Sequence, residues 1–527
     1  MKKSRIHSYT VLGISLVLSL AVVAIVGCGG NNSSSSNPTT GTVNTFISDP
    51  PTCSLQDPAV YVTITKVLAN VNANAAPNSS GWQTLVDLTN DPQQVDLMTL
   101  NPDATKDFCG TLFKLGTKAL PPGKYQQIRL ILLANNASSG PSSNACTDKA
   151  DGTTYGWNCV VSSNKSYHEL QLPSEAQTGI KIPSSQITNG GLTVTAGQSV
   201  DFNINFDSCA SIVQEGTGQY SLKPVLHAGE VTLNGENTIS GKVVEGAGAP
   251  NPGTGIGSAI VLLEQPDTST TPPTDRVIWA GTTNPDGTFA FCPVASSSTN
   301  YDVVVAGTTT ETTASGTTTT TYNPSVVFGV PVGGATGSIP LFAETASGTG
   351  GTGPAQISGQ ITTSGSSTVG GDVQLSALQS VTDGSNTVNI TVPVLQSTST
   401  PTGNVTMSQP PIYTTVDTTS ANGGCAAGST DCVGYTIAVP ASAAAFGTYD
   451  SSSGNNVQQA TSTNSATYTI NALADGSTNT TLNSTLLSCT PTAANSDAVT
   501  VEPGQSVTQG NDGSLVLGLT GCTAPTP

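Results

Sequence analysis

Apolar and polar residues alternate along much of this chain with the two-residue period of a half-buried strand. Val60, Val62 and Ile64 alternate with Tyr61, Thr63 and Thr65, which places one apolar face against a core. Val200, Phe202, Ile204 and Phe206 alternate with Asp201, Asn203, Asn205 and Asp207 in the same way. The polar set carries oxygen ligands at a spacing that suggests calcium, but strand side chains about 7 Å apart diverge, so a solvated face is expected. Asp207 is placed to cap a short helical turn from Cys209 to Val213. The turn Leu120-Pro121-Pro122-Gly123-Lys124 feeds Tyr125 and a strand from Gln127 to Leu132.

Later segments keep this character. ISGKVV (Ile239 to Val244), SAIVLLE (Ser258 to Glu264) and YDVVVAG (Tyr301 to Gly307) read as strands, and Asn284-Pro285-Asp286-Gly287 as a tight turn. Beyond a Gly/Thr/Ser linker, ISGQIT (Ile357 to Thr362) restarts with almost the letters of ISGKVV. Strands are expected at Val373 to Leu375, Val388 to Val392, Tyr435 to Val439 and Tyr468 to Ile470, with one helical turn at Ala441 to Phe446. The expected fold is all-β, as tandem β-sandwich domains.

The start of the chain differs. Lys2, Lys3 and Arg5 precede an apolar run from Val11 to Val26, which is short for a bilayer of roughly 30 Å, and then Gly27 and Cys28. That order is a signal peptide. Ile25-Val26-Gly27-Cys28 resembles the bacterial lipobox, which implies a lipidated Cys28 after cleavage and membrane attachment through acyl chains. Gly29, rather than Asp, after the cysteine implies sorting to the outer membrane. The expected organisation is a signal peptide over 1–27, lipidated Cys28 and a polar tether to 40, domains over 41–235, 236–345 and 355–527, and a linker over 346–354.

Composition narrows the function classes. Only 9% of residues are charged and 5% aromatic, so hydroxyls and amides carry solubility. The net charge is −18, and no basic cluster exists beyond the leader, which excludes nucleic acid as a partner. Eleven cysteines leave an even number once Cys28 is set aside, and an exported chain meets an oxidising compartment. Short loops suggest Cys146 with Cys159 and Cys425 with Cys432, and Cys489 with Cys522 follows by elimination. The order leaves Cys53, Cys109, Cys209 and Cys292 open. No zinc spacing occurs, and no metal or cofactor is expected.

The segments VYVTITKV (Val60 to Val67), GWQTLVDL (Gly81 to Leu88), LPPGKYQQIRLIL (Leu120 to Leu132), EAQTGIKIP (Glu175 to Pro183), FDSCASIV (Phe206 to Val213) and YSLKPVLHAGEV (Tyr220 to Val231) resemble the domain-of-unknown-function 4382 family, in its order. The resemblance implies a β-sandwich of bacterial lipoproteins with no established activity. The order of ISGKVV, SAIVLLE, AGTTNPDGTFAFCPV (Ala280 to Val294) and YDVVVAG is similar to carboxypeptidase-regulatory-like domains of the prealbumin type, interrupted by a Thr-rich insert from Thr308 to Thr321.

The candidate ligand site is the loop Cys146 to Cys159, which presents Tyr155 and Trp157 beside Asp148 and Asp151. Aromatic faces next to carboxylates grip sugar rings; the bland alternative, in which Trp157 folds back as the loop's own core, is favoured. His168, His227, Lys124 and Arg129 read as ordinary surface or edge residues. No GxSxG elbow or HExxH helix is present, and no enzyme is expected. The expected function is a cell-envelope protein that binds polysaccharide or another surface protein, with a structural spacer or, less favoured, a cryptic hydrolase as alternatives.

Overall fold

The computed structural model describes residues 39–49, 59–100, 112–172, 179–214, 219–222, 226–233, 237–313, 316–345, 353–364, 370–383, 386–400, 412–416, 432–460, 464–477, 488–492, 498–508 and 514–523. Nearly all of the regular structure among them is strand, as the alternation predicts. The leader, Cys28 and most of the tether lie outside the described residues, as do Cys53, Cys109 and Cys425. Among the described residues no helix is long and apolar enough to cross a membrane.

In the first module the alternating segments build two sheets around one core. Gly41–Ser48 runs parallel to Ser199–Phe206 and antiparallel to Phe113–Leu120, with Leu226–Val231 outside Ser199–Phe206. A nine-stranded sheet on the long strand Ala59–Asn70 contributes the second set of core residues. Val43, Ile47, Phe202 and Ile204 of the first sheet pack with Val60, Val62, Ile64 and Leu130 of the second. Each such burial contributes about 1.5–3 kcal/mol. The proline turn feeds the strand Gln127–Leu132 as expected, and the Tyr125 hydroxyl bonds the Pro121 carbonyl at 2.9 Å.

Four local expectations are corrected. The polar face of Ser199–Phe206 is solvated only at its start: Asp201 is half-buried and accepts from Asn44 Nδ2 at 2.7 Å, whereas Asn203, Asn205 and Asp207 are all buried. His227, opposite Asn205, is buried too, with its ring hydrogen-bonded to the Val277 backbone in the second module. The two modules thus meet over this face, and Gly229 lies so close that a Cβ there would come within 2.5 Å of Ala295. Arg129 is buried under the Trp82 ring, 5.4 Å from its centroid. Finally, 441–444 is a bend leading into the strand Ala445–Asp450, because its amides bond across the fold: Ala444 N to Gln379 Oε1 at 2.9 Å and Ala445 N to the Pro324 carbonyl at 2.8 Å.

The second and third modules share one central sheet of eleven strands. Ile260–Asp267, Thr274–Thr282, Tyr301–Ala306 and Ser325–Val330 lie beside Asn386–Val392, Gly370–Asp383, Ala466–Ser477 and Ala445–Asp450 in it. One face packs on a three-stranded sheet holding Ile239–Glu245, through Val261, Leu263, Val303 and Val327. The other packs on a six-stranded sheet holding Ala355–Ser364 and Cys432–Val439, through Ile260, Leu262, Val304 and Val326. A sheet covered on both faces needs continuous apolar runs, and IVLL and VVVA are those runs. The Thr-rich insert forms its own ribbon, Thr308–Thr313 against Gly316–Thr321.

Candidate functional site

The Cys146 to Cys159 loop is closed by the expected disulfide, with Cα atoms 5.7 Å apart and both cysteines buried. Inside it a small hairpin forms: Tyr155 N bonds the Cys146 carbonyl at 2.9 Å and Asp148 N bonds the Thr153 carbonyl at 2.8 Å. The two candidate carboxylates serve the backbone of that hairpin. Asp148 Oδ1 accepts from Ala150 N and Asp151 Oδ1 from Thr153 N, each at 2.8 Å. The bonds from Thr153 also hold the exposed Asp151 carboxyl below the usual carboxylate range.

Trp157 turns into the protein. Its Nε1 donates to the Ala137 carbonyl at 3.0 Å, and its ring lies so close over Gly140 that a Cβ there would meet it at 2.7 Å. The Trp157 carbonyl accepts from Thr63 Oγ1 at 2.6 Å and from Gln94 Nε2 at 3.0 Å. Asn135 Oδ1 accepts from the amides of Trp157 and Asn158, and Asn158 in turn bonds Thr63 N and the Leu133 carbonyl. Three amide side chains, Gln94, Asn135 and Asn158, therefore pin the loop flat on the nine-stranded sheet. Sequence reasoning missed all three, because nothing in an amide's local context separates a buried hub from a surface residue.

Tyr155 and Trp157 are both half-buried, and Tyr155 is the one whose ring is not spent over Gly140. It stacks on Tyr167, centroids 5.9 Å apart at 22°, and both rings are half-buried. Tyr61, also half-buried, has its hydroxyl raised above the usual tyrosine range by burial, with Asp96 and Tyr167 adding to it. Asp148 and Asp151 do not converge with these rings on shared partners; each is spent within the hairpin.

Two further groups of buried acids escaped the sequence reading. Asp49 is fully buried and accepts from Ser208 N at 2.9 Å and Ser208 Oγ at 2.6 Å, at the start of the helix Ser208–Ser211. Burial pushes its carboxyl well above the ordinary range against those two bonds. In the second module, Glu264, Asp275 and Asp302 are buried side by side on neighbouring strands. Among the described residues no group of three or more His, Cys, Asp or Glu is arranged to hold a metal ion.

Cys292 is also disulfide-bonded. The side chains of Cys432, Cys489 and Cys522 lie outside the described residues, so the pairings expected for them are not addressed by the geometry.

No curated protein matches the chain. Among solved structures, two mutant forms of the shaft pilin SpaA from Lactobacillus rhamnosus GG are similar at 11% identity, covering 55% of this chain and 99% and 98% of theirs, with TM-scores of 0.14 and 0.12. A streptococcal ancillary pilin is similar at 7% identity over 84% of this chain and 96% of its own, with a TM-score of 0.13. Scores this low assign neither topology nor role. Residues 40–224 match the family model described as Domain of unknown function (DUF4382), in agreement with the resemblance read over the first module.

Proposed function

We propose that the protein is a non-enzymatic cell-envelope lipoprotein, held by lipid on Cys28 at the outer membrane, whose β-body presents a binding face for surface polysaccharide or for a protein of another surface. The second module is read as a carboxypeptidase-regulatory-like sandwich serving as part of the support. The observation that carries the binding reading is the stacked pair Tyr155 and Tyr167, held half-open beside Tyr61 by a disulfide-closed loop. Rigid aromatic faces bind sugar rings at little entropic cost, because few torsions are frozen on contact. Trp157, packed over Gly140, supports that face rather than contacting a ligand.

A polysaccharide array tests this directly. Binding by the purified body that Tyr155→Ala and Tyr167→Ala each weaken about tenfold or more, with thermal stability kept, is the expected result. Silence across polysaccharides and envelope proteins moves the reading to a structural spacer, which the shared central sheet also supports. Mass spectrometry of the mature amino terminus tests the anchor: acylated Cys28 is expected, and an intact chain beginning at Met1 without acyl mass would overturn it.

A further inference from the structure

The seam between the second and third modules is closed partly by carboxyl groups. Glu264 and Asp302 are direct cross-strand partners, and Asp275 sits two residues along the neighbouring strand from Val277, which faces Glu264. Such cross-strand neighbours have Cβ atoms about 4.5–5.5 Å apart, and like charges there repel. Glu264 Oε2 accepts the Thr391 amide of the third module at 3.1 Å, while Asp302 Oδ1 accepts the Gly329 amide at 2.7 Å. Glu344, ahead of the linker, accepts the Ala441 amide of the third module. Among the described residues no N–H or hydroxyl group donates to Asp275, whose side chain is only 2% exposed; its partner is the Asp302 carboxyl, with which it shares a side-chain hydrogen bond.

Cations are missing where they would be needed. From residue 243 to the end of the chain, Arg276 is the only Lys, Arg or His in the sequence. Its guanidinium pairs with Asp267 at 3.5 Å, on the opposite strand face from Asp275. The strands Ser325–Val330 and Asn386–Val392 bring no charged side chain, and Asp383 stands exposed at the far end of Gly370–Asp383. His227, bonded to the Val277 backbone from the first module, is a further titratable side chain against Thr274–Thr282.

We propose that this seam is a proton-dependent clasp: it holds the second and third modules together while its carboxyl groups carry protons and loosens as they release them to solvent at higher pH. Three buried acids in a row with no cation cannot all ionise, so they keep protons that exposed carboxyls lose near pH 4. Burial raises Glu264 and Asp275 well above the ordinary range, Asp302 to about 6 and Glu344 to about 7. Raised folded values mean stability present below about pH 4 and lost as pH climbs through them. An exported chain meets whatever pH surrounds the cell, so the clasp would set the stiffness of the body by its surroundings.

Arg276 supplies the probe. Trypsin has one site after residue 242, the Arg276–Val277 bond within the central sheet, so its cleavage in the full chain reports opening there. The rate is normalised at each pH to an unstructured peptide spanning 270–282. The expected result is a rise of about tenfold or more between pH 6 and 8.5, flattened to within about twofold by Asp275→Asn with Asp302→Asn. A flat or falling wild-type profile, a rise retained in the double variant, or a rise abolished by added calcium overturns the proposal. Should the double variant not fold, an Asp49→Asn chain, which removes the buried acid outside the seam, decides by infrared spectroscopy: a protonated-carboxyl band still present at pH 6 supports the clasp, and its absence overturns it.

Discussion

Trp157 and Asn158 are neighbours with opposite lessons about what a residue's identity conveys. The indole in a Cys-closed loop marks itself as chemically interesting, yet it is consumed by Gly140 and the Ala137 carbonyl. The amide is unremarkable in sequence, yet it ties the strand Ala59–Asn70 and the residue after Gln127–Leu132 to the loop. His227 is a similar case. It stands in a strand-like segment that reads as an edge, but its side is covered by a module more than forty residues further on, which no local pattern encodes. Burial lowers its ring to about 4 from 6.5, against the Val277 bond. A depressed histidine contributes stability at neutral pH that is lost as pH falls from about 6.5 to 4, here up to about 3 kcal/mol. His227→Asn should remove that acid-side loss, giving a melting temperature that changes less between pH 6.5 and 4 than the wild type's. An unchanged profile would show that His227 is solvated in solution.

At the scale of elements, strands were legible wherever one face met water, because alternation then has two sides to report. The runs at Ile260 to Leu263 and Val303 to Ala306 gave the strands but not their second covering layer, although four apolar residues in succession leave no side for solvent. Turn chemistry was fully readable at Asn284 to Gly287. Gly287 has φ +86°, bonds the Asn284 carbonyl through its amide at 2.8 Å, and would place a Cβ 2.4 Å from the Val243 carbonyl. Gly287→Ala therefore meets both a disfavoured dihedral and a backbone clash, and a loss of about 2 kcal/mol or more is expected by denaturant unfolding. The helical turn expected at Ala441 to Phe446 failed for a complementary reason. Alanines satisfy helix propensity, but Gln379 and Pro324 supply partners for those amides from other strands.

For the whole molecule, the sequence showed three sandwich-like stretches and could not show that two of them are one construction. The first module encloses its own core, whereas the second presents Ile260, Leu262, Val304 and Val326 to the six-stranded sheet of the third. A chain ending at residue 345 should therefore expose that row and self-associate in size-exclusion chromatography, while residues 39–233 should elute as a folded monomer. Monomeric behaviour of the longer fragment would mean that the second module closes without its partner. The candidate site was half legible at this scale: the loop and its disulfide were, and the tyrosine beneath it, Tyr167, was not, because their approach depends on how Cys159–Val161 pairs with Tyr167–Gln171.

The strand by which the body begins lies inside its sheet, with Ser199–Phe206 on one side and Phe113–Leu120 on the other. Tension delivered along the backbone through residue 40 would load both ladders in shear, so that many hydrogen bonds must fail together instead of peeling one after another. A fold entered this way resists being dragged open from that end.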